Sequence, residues 1–405
     1  MNTHSTPVPS GRRYPMYTAE FAADPHAAYQ EMREEHGALV PVEPYPGFKA
    51  TLVVNHGTAV QILNDPVSFP ADPRKWQRSV PADCPILPMV GYRANALRSA
   101  GSEHARFRAS NVDALAGVAL HRLERVVQRR ARQAINRFCE KGEADFLNGF
   151  AKPVVLGTIS DLAGATEELA GRIGTSMAAV FEGGPDAGHA NHMLMAALHD
   201  LIELKRARPG DDFVTRLITH KTELTDPELA EQLVTLFGAG YEPLTNTIAN
   251  TTLRIQSSAH VMDGVFRGSL SVREALYEGL FNDPPMANYC LSYPPQPVVI
   301  DHQVLLADQM VMISLAACNN DPALGSPERR LGNRAHLAFS AGPHACPAAD
   351  MSMVIAKAAL DEVLEALPDM QLAVAPDQVR WRPGPFHRAL ASLPVSFAPT
   401  APLPD

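Results

Sequence analysis

Proline placement constrains this chain more than any other feature. Thirty-five prolines are spread unevenly over 405 residues. Pro70, Pro73, Pro81, Pro85 and Pro88 all fall between Phe69 and Gly91. Proline lacks an N–H and has a fixed φ, so it interrupts helices and sheet ladders. That stretch is therefore expected to be irregular, and loops of such length often serve as lids. Elsewhere proline marks where helices begin and end. Asp24–Glu35 opens on Asp-Pro and continues with good helix formers. Thr225–Glu228 reads Thr-Asp-Pro-Glu, a capping box with proline in the first turn. It opens a long helix with an apolar stripe of Leu229, Leu233, Leu236, Phe237, Gly240, Leu244 and Ile248. A second capping box, Ser271–Glu274, opens a helix that must stop before Pro284-Pro285.

Between these markers the apolar periodicity is mainly helical. His121–Phe138 carries Leu123, Val127, Ala131, Ala134 and Phe138 on one side and arginines on the other. After Cys346, Met353, Ala356, Leu360, Val363, Leu364 and Leu367 share a face, and Pro368 ends the helix. Strand signals are few. Ala38–Asn55 places Val40, Val42, Leu52, Val53 and Val54 around a Pro46-Gly47 turn. Pro294–Ala316 reads as short strands and turns. The expected class is mostly α with a small β part. With no internal repeat or dividing linker, residues 14–405 are expected to form one domain behind a flexible tail, 1–13.

Charge and cysteine content narrow the function. The formal net charge is −9, which disfavours nucleic acid or an anionic membrane as main partner. No apolar run approaches the ~20 residues that span a bilayer, and the polar start lacks the apolar core of a signal peptide. A cytoplasmic protein is expected. Cys84, Cys139, Cys290, Cys318 and Cys346 are odd in number, widely spaced and free of Cys-x-x-Cys pairs. That pattern fits neither a disulfide framework nor a structural zinc site. Four of the five read as small buried apolar residues.

Cys346 is the exception. Phe339-Ser340-Ala341-Gly342-Pro343-His344-Ala345-Cys346 is a glycine-containing loop that delivers a cysteine to the start of a helix. The helix dipole and its open N–H groups favour thiolate there, and a thiolate can ligate a soft or borderline metal. The pattern F-x-x-G-x-H-x-C resembles the haem-binding loop of the cytochrome P-450 family. The resemblance implies that fold, with haem b between the distal I helix and the proximal L helix. It makes Cys346 the iron ligand, whose electron donation favours O–O cleavage. It also implies that Gly342 lets the backbone turn close to the porphyrin and that Phe339 packs beneath it. Ala348 stands where the family usually has glycine.

Other segments extend the resemblance over nearly the whole chain. His104-Ala105-Arg106-Phe107-Arg108 matches H-x-x-x-R, which in the family neutralises the haem propionates; His344 would be a third donor. Leu236–Asn246 resembles the distal helix motif A-G-x-[DE]-T. There Ala239 and Gly240 imply a small-residue bulge beside dioxygen, and Glu242 is the acid of a proton relay. Pro243 replaces the usual threonine, so the relay alcohol is missing, and Thr245 is expected to point elsewhere. Cys318–Pro322 resembles the segment before the meander, Pro327–Arg330 a shortened meander, and Arg388–Val395 the closing strand pair.

Two departures stand out. The K-helix motif E-x-x-R reads Glu278-Gly279-Leu280-Phe281, so its arginine is absent. Glu278 is expected either to pair with Arg329 or Arg330 or to sit in a corner repacked around Phe281. The propionate-binding arginine that follows the K helix is also missing from Met286–Tyr293. An actinobacterial branch of the family lacks the E-x-x-R arginine, often beside signalling-assembly proteins, and the chain resembles it.

The resemblance implies a haem-thiolate monooxygenase that inserts one oxygen atom from dioxygen into a small apolar substrate. Electrons would come from a ferredoxin and ferredoxin reductase, with Arg122, Arg125, Arg129 and Arg132 as a candidate docking face. Phe69–Gly91 and Met177–Lys205 would form the substrate lid. The missing alcohol and arginine motivate two alternatives: a non-catalytic haem sensor or interaction subunit, and peroxide-driven chemistry.

Overall fold

The computed structural model describes residues 6–7, 12–81, 84, 86–182, 186–325 and 333–404. The expected single domain divides into two compact units, each assembled from separate stretches of chain.

The first unit comprises residues 1–105, 280–346 and 381–389 and holds most of the β structure. The expected hairpin forms from antiparallel Leu39–Tyr45 and Phe48–Val53. Gly47 takes φ +81° at its turn, a conformation glycine adopts without steric cost. Tyr14–Pro15 flanks the hairpin on one side; Met310–Ile313 and then Cys290–Ser292 extend it on the other, giving five strands. Alternate side chains point to opposite faces, and both faces are covered. Val40, Val42, Leu52 and Met312 enter one apolar cluster with Met32 and Phe386. Leu39, Val53, Val311 and Ile313 enter another with Ile62 and Leu337. Within the expected N-terminal tail, Thr6–Pro7 pairs in parallel with Gln303–Leu305. Arg13 also donates to the carbonyls of Val42 and Ala50. Among its described residues the proline-rich stretch is irregular but for a 3-10 turn at Trp76–Ser79 and a short helix, Leu87–Val90, that admits Pro88 in its first turn.

The second unit, residues 106–279, 347–380 and 390–405, is mostly helical. Its longest helix is Asp226–Ser257. The predicted capping box is present: Thr225 N–H and Oγ1 both donate to Glu228. The expected stripe is buried at Leu229, Leu233, Phe237, Leu244 and Ile248. Helix Leu120–Ile135 buries Leu123, Val127, Ala131 and Ala134. Helix Ala349–Ala366 buries Met353, Ala356, Leu360 and Val363. Met177–Lys205 falls on helices Glu167–Glu182 and Ala187–Ala207. The expected closing strand segment, Arg388–Val395, leads into strand Pro394–Ser396, which pairs with Gln371–Leu372 and with the more distant Glu143–Asp145.

Candidate functional site

In the first unit the Cys346 loop is tied back on itself. The Cys346 N–H donates to the Phe339 carbonyl at 2.8 Å, Ala345 N–H to Gly342, and Ser340 N–H to Leu337. Gly342 and Ser340 both take positive φ, +66° and +60°. The glycine requirement comes from the protein itself. A Cβ on Gly342 would collide with the Leu63 carbonyl, at the end of helix His56–Leu63. Crowding by that backbone demands glycine at 342 independently of any approach to a porphyrin. Cys346 is half-buried, whereas Cys84, Cys139 and Cys318 are fully buried. Burial raises the Cys290 and Cys318 thiols above their ordinary pKa, which keeps them neutral, as expected of structural cysteines.

His104 and His344 come together, with ring centroids 4.1 Å apart and planes tilted by 36°. His104 is only 8% exposed and sits on helix Gly101–Ala116, which also carries Arg108 one turn later. Phe339 meets His336 at a tilt of 53°, and His336 meets Phe281 edge-on. The ring of Phe281 thus occupies a packed aromatic corner, one of the two outcomes expected for the lost arginine. His344 and Ser340 line a cavity of about 60 Å³ together with Tyr289, Cys290, Ser292 and Arg98. Arg98 was not singled out from the sequence. It lies six residues before the H-x-x-x-R motif, and nothing in its local pattern marks it.

In the second unit, Ala239, Gly240, Glu242 and Pro243 lie on the long helix, which continues as α-helix through all four. The expected bulge is absent. Gly240 is small for another reason: a Cβ there would lie 3.0 Å from Ile159 Cδ1, on helix Lys152–Ala163. Glu242 is 6% exposed, and the Asn246 amide donates to its Oε1 at 3.1 Å. An i, i+4 amide partner fixes one carboxylate oxygen, a contact the sequence reading overlooked. Pro243 offers no N–H to the Ala239 carbonyl one turn back. Thr245 is buried, and its hydroxyl takes no hydrogen-bond partner among the described residues.

Among the described residues Glu278 pairs with Arg254. Arg254, on the same long helix, donates through Nε and Nη2 to Glu278 Oε2 at 3.1 and 3.0 Å. Arg329 and Arg330 lie outside the described residues. Of the four arginines proposed for docking, Arg122 pairs with Asp211, Arg129 with Asp161 and Arg132 with Glu362. Arg125 is exposed.

These residues suit a haem. A half-buried cysteine sits in a pinned loop, and two stacked histidines lie on the same unit. A buried guanidinium and His344 line one cavity, ready for an anionic group. The lining mixes those polar side chains with apolar Leu97, Leu291 and Ile313, as an amphipathic cofactor edge requires.

No family model matches the chain. Among curated proteins it is 29% identical to the cytochrome P450 monooxygenase PikC of Streptomyces venezuelae, over 93% of this chain and 92% of that one. It is 27% identical to cytochrome P450 107B1 of Saccharopolyspora erythraea, over 93% and 95%. A solved structure of CYP154C4 from a Streptomyces species superposes with TM-score 0.88 at 24% identity, covering 96% of this chain and 98% of that one. The structural likeness establishes the fold, and the relatives are named as monooxygenases and hydroxylases. They lend nothing to a sensor reading. The chain has the cytochrome P450 fold and is similar over nearly its whole length to bacterial P450 monooxygenases and hydroxylases.

Proposed function

We propose that this chain inserts one oxygen atom from dioxygen into a small apolar organic substrate, with Cys346 as the iron ligand. In this reading His104, Arg108 and His344 neutralise the haem propionates, and Phe339 and Gly342 shape the cysteine loop. The observation that carries it is the construction of that loop. Its backbone bonds fix where the Cys346 side chain leaves the chain, and His344 is held against His104. When bound, the haem supplies the reduction and cleavage of dioxygen. The protein must orient the substrate, keep water out and deliver protons.

Glu242 is the proton carrier in this scheme. Asn246 restrains one oxygen, which holds the carboxylate in one direction inside a buried stretch of helix. Pro243 supplies no hydroxyl, but its missing N–H leaves the Ala239 carbonyl as a fixed acceptor. A water or a substrate hydroxyl held there can complete the route from Glu242. Around these residues Gly238 faces Met177 and Phe181, and Gly240 faces Ile159. Apolar packing around this part of the helix is in keeping with an apolar substrate; Phe69–Gly91 and Met177–Lys205 are proposed as its lid segments. The Glu278–Arg254 pair supports placement in the branch that lacks the E-x-x-R arginine. No helix among the described residues is long and apolar enough to cross a membrane. We assign the protein to the cytoplasm, with a ferredoxin and its reductase as electron donors.

The test is reconstitution with a ferredoxin and reductase over a panel of apolar substrates. Product should form in proportion to the nicotinamide cofactor oxidised. No product under those conditions, with product from hydrogen peroxide alone, would replace this scheme by the peroxide-driven one.

A further inference from the structure

Arg98 is the least expected charge in the protein. It is 2% exposed, and no described residue offers it a carboxylate. Its Nη2 donates to the Met89 carbonyl at 3.0 Å, and Nη1 reaches the Leu97 carbonyl only at 3.5 Å. Its Nε is buried without a hydrogen-bond partner. The guanidinium lies 4.8 Å from the centre of the Tyr289 ring, whose hydroxyl also donates to Met89 O. Tyr289 thus orients the cation without neutralising it. A guanidinium cannot shed its proton in a protein, so a buried one needs an anion.

The neighbouring groups do not provide that anion. Burial raises the Cys290 thiol and the Tyr293 phenol, so both stay neutral beside Arg98. What the arginine does face is the cavity of about 60 Å³ that it lines with His344, Ser340 and Ser292. His344 is two residues from Cys346. Ser292 belongs to Met286–Tyr293, the segment from which the family's propionate-binding arginine is missing. A charge lost from one strand and an unneutralised charge on a neighbouring loop therefore border the same cavity.

We infer that Arg98 binds a cofactor carboxylate, replacing from the loop before helix Gly101–Ala116 the arginine absent after the K helix. This rests on the haem-thiolate reading. The planar fork of the guanidinium suits bidentate recognition of a carboxylate. The open Nε and the under-used Nη1 are the donors available for it.

The test compares wild type with Arg98→Met and Arg98→Lys. It reads haem transfer to apomyoglobin, the spectrum of the reduced protein under carbon monoxide, and thermal melting of both apo and haem-loaded protein. Arg98→Met should release haem about ten to a hundred times faster, the loss expected for a charge-assisted hydrogen bond. Arg98→Lys should fall between it and wild type, since a point charge cannot reproduce the fork. The spectrum should be unchanged, because Cys346 is intact. Apo Arg98→Met should melt no lower than apo wild type, since an unneutralised buried cation has been removed, while its haem-loaded form melts lower. Unchanged haem release, or equal lowering of both melting temperatures, would overturn the inference and leave Arg98 a packing residue. Wild-type protein that binds haem without a thiolate spectrum would overturn the parent reading alone. Wild type that binds no haem would overturn both.

Discussion

At the scale of single residues, the site rests on side chains whose partners lie one helical turn away or on a neighbouring loop. Glu242 is held by Asn246, so Glu242→Gln, which keeps the shape but removes the titrating group, should slow coupled turnover by roughly 10²-fold. More of the consumed electrons should then appear as peroxide. Measurement of product against nicotinamide oxidised checks this; unchanged coupling would remove Glu242 from the relay. The sequence exposed Cys346, His104, His344 and Glu242 because each belongs to a short contiguous motif. It hid Arg98 and Arg254, whose roles depend on contacts between distant parts of the chain. Gly342 was marked by its motif, whereas the Leu63 carbonyl that also demands glycine there is remote in sequence.

At the scale of elements, capping boxes and proline stops marked the helix boundaries within a residue or two. Local hydrogen bonds decide those boundaries, so local sequence reveals them. Thr225→Ala should destabilise the protein by about 1 kcal/mol, the usual loss for an N-cap. Glu228 complicates its own cap. Burial pushes its pKa up, yet Arg106 and the Thr225 donors outweigh that and hold it below the ordinary value. The Cys346 loop is tied by its own backbone hydrogen bonds. Gly342→Ala places a Cβ against a backbone oxygen in a left-handed conformation, and should cost more than about 3 kcal/mol and most haem binding. Denaturant melts and haem stoichiometry check it; near-wild-type values would mean that helix His56–Leu63 yields easily. The pairing of the short strand Pro394–Ser396 with Glu143–Asp145 was not legible in the sequence, because the two are far apart along the chain. The Glu278–Arg254 pair is partly exposed. Its coupling in a double-mutant cycle should therefore be about 1 kcal/mol, well below that of a buried pair.

At the scale of the whole molecule, stability should fall in acid. Burial lowers both His336 and His387 to about 4. Each is neutral when folded but titrates near 6.5 when unfolded. The unfolded chain therefore binds more protons below about pH 6.5, and stability is lost from there down towards pH 4. By pH 5 the loss is roughly 2 kcal/mol for each histidine. Asp283 acts in the same direction. Burial raises its pKa, but His26 and Arg388 outweigh that and hold it below its ordinary value, so its contribution also disappears as pH falls through the acid range. Melting temperature should decline between pH 7 and 5, and less so in His387→Gln. A flat profile would mean that both imidazoles are hydrated. In the proposed scheme, function as a whole depends on Cys346 reaching iron as a thiolate. The most direct measurement is the absorption spectrum of the reduced protein under carbon monoxide. A long-wavelength Soret band that disappears in Cys346→Ala is the expected result; a haem-replete protein without that band would contradict thiolate ligation and the chemistry built on it.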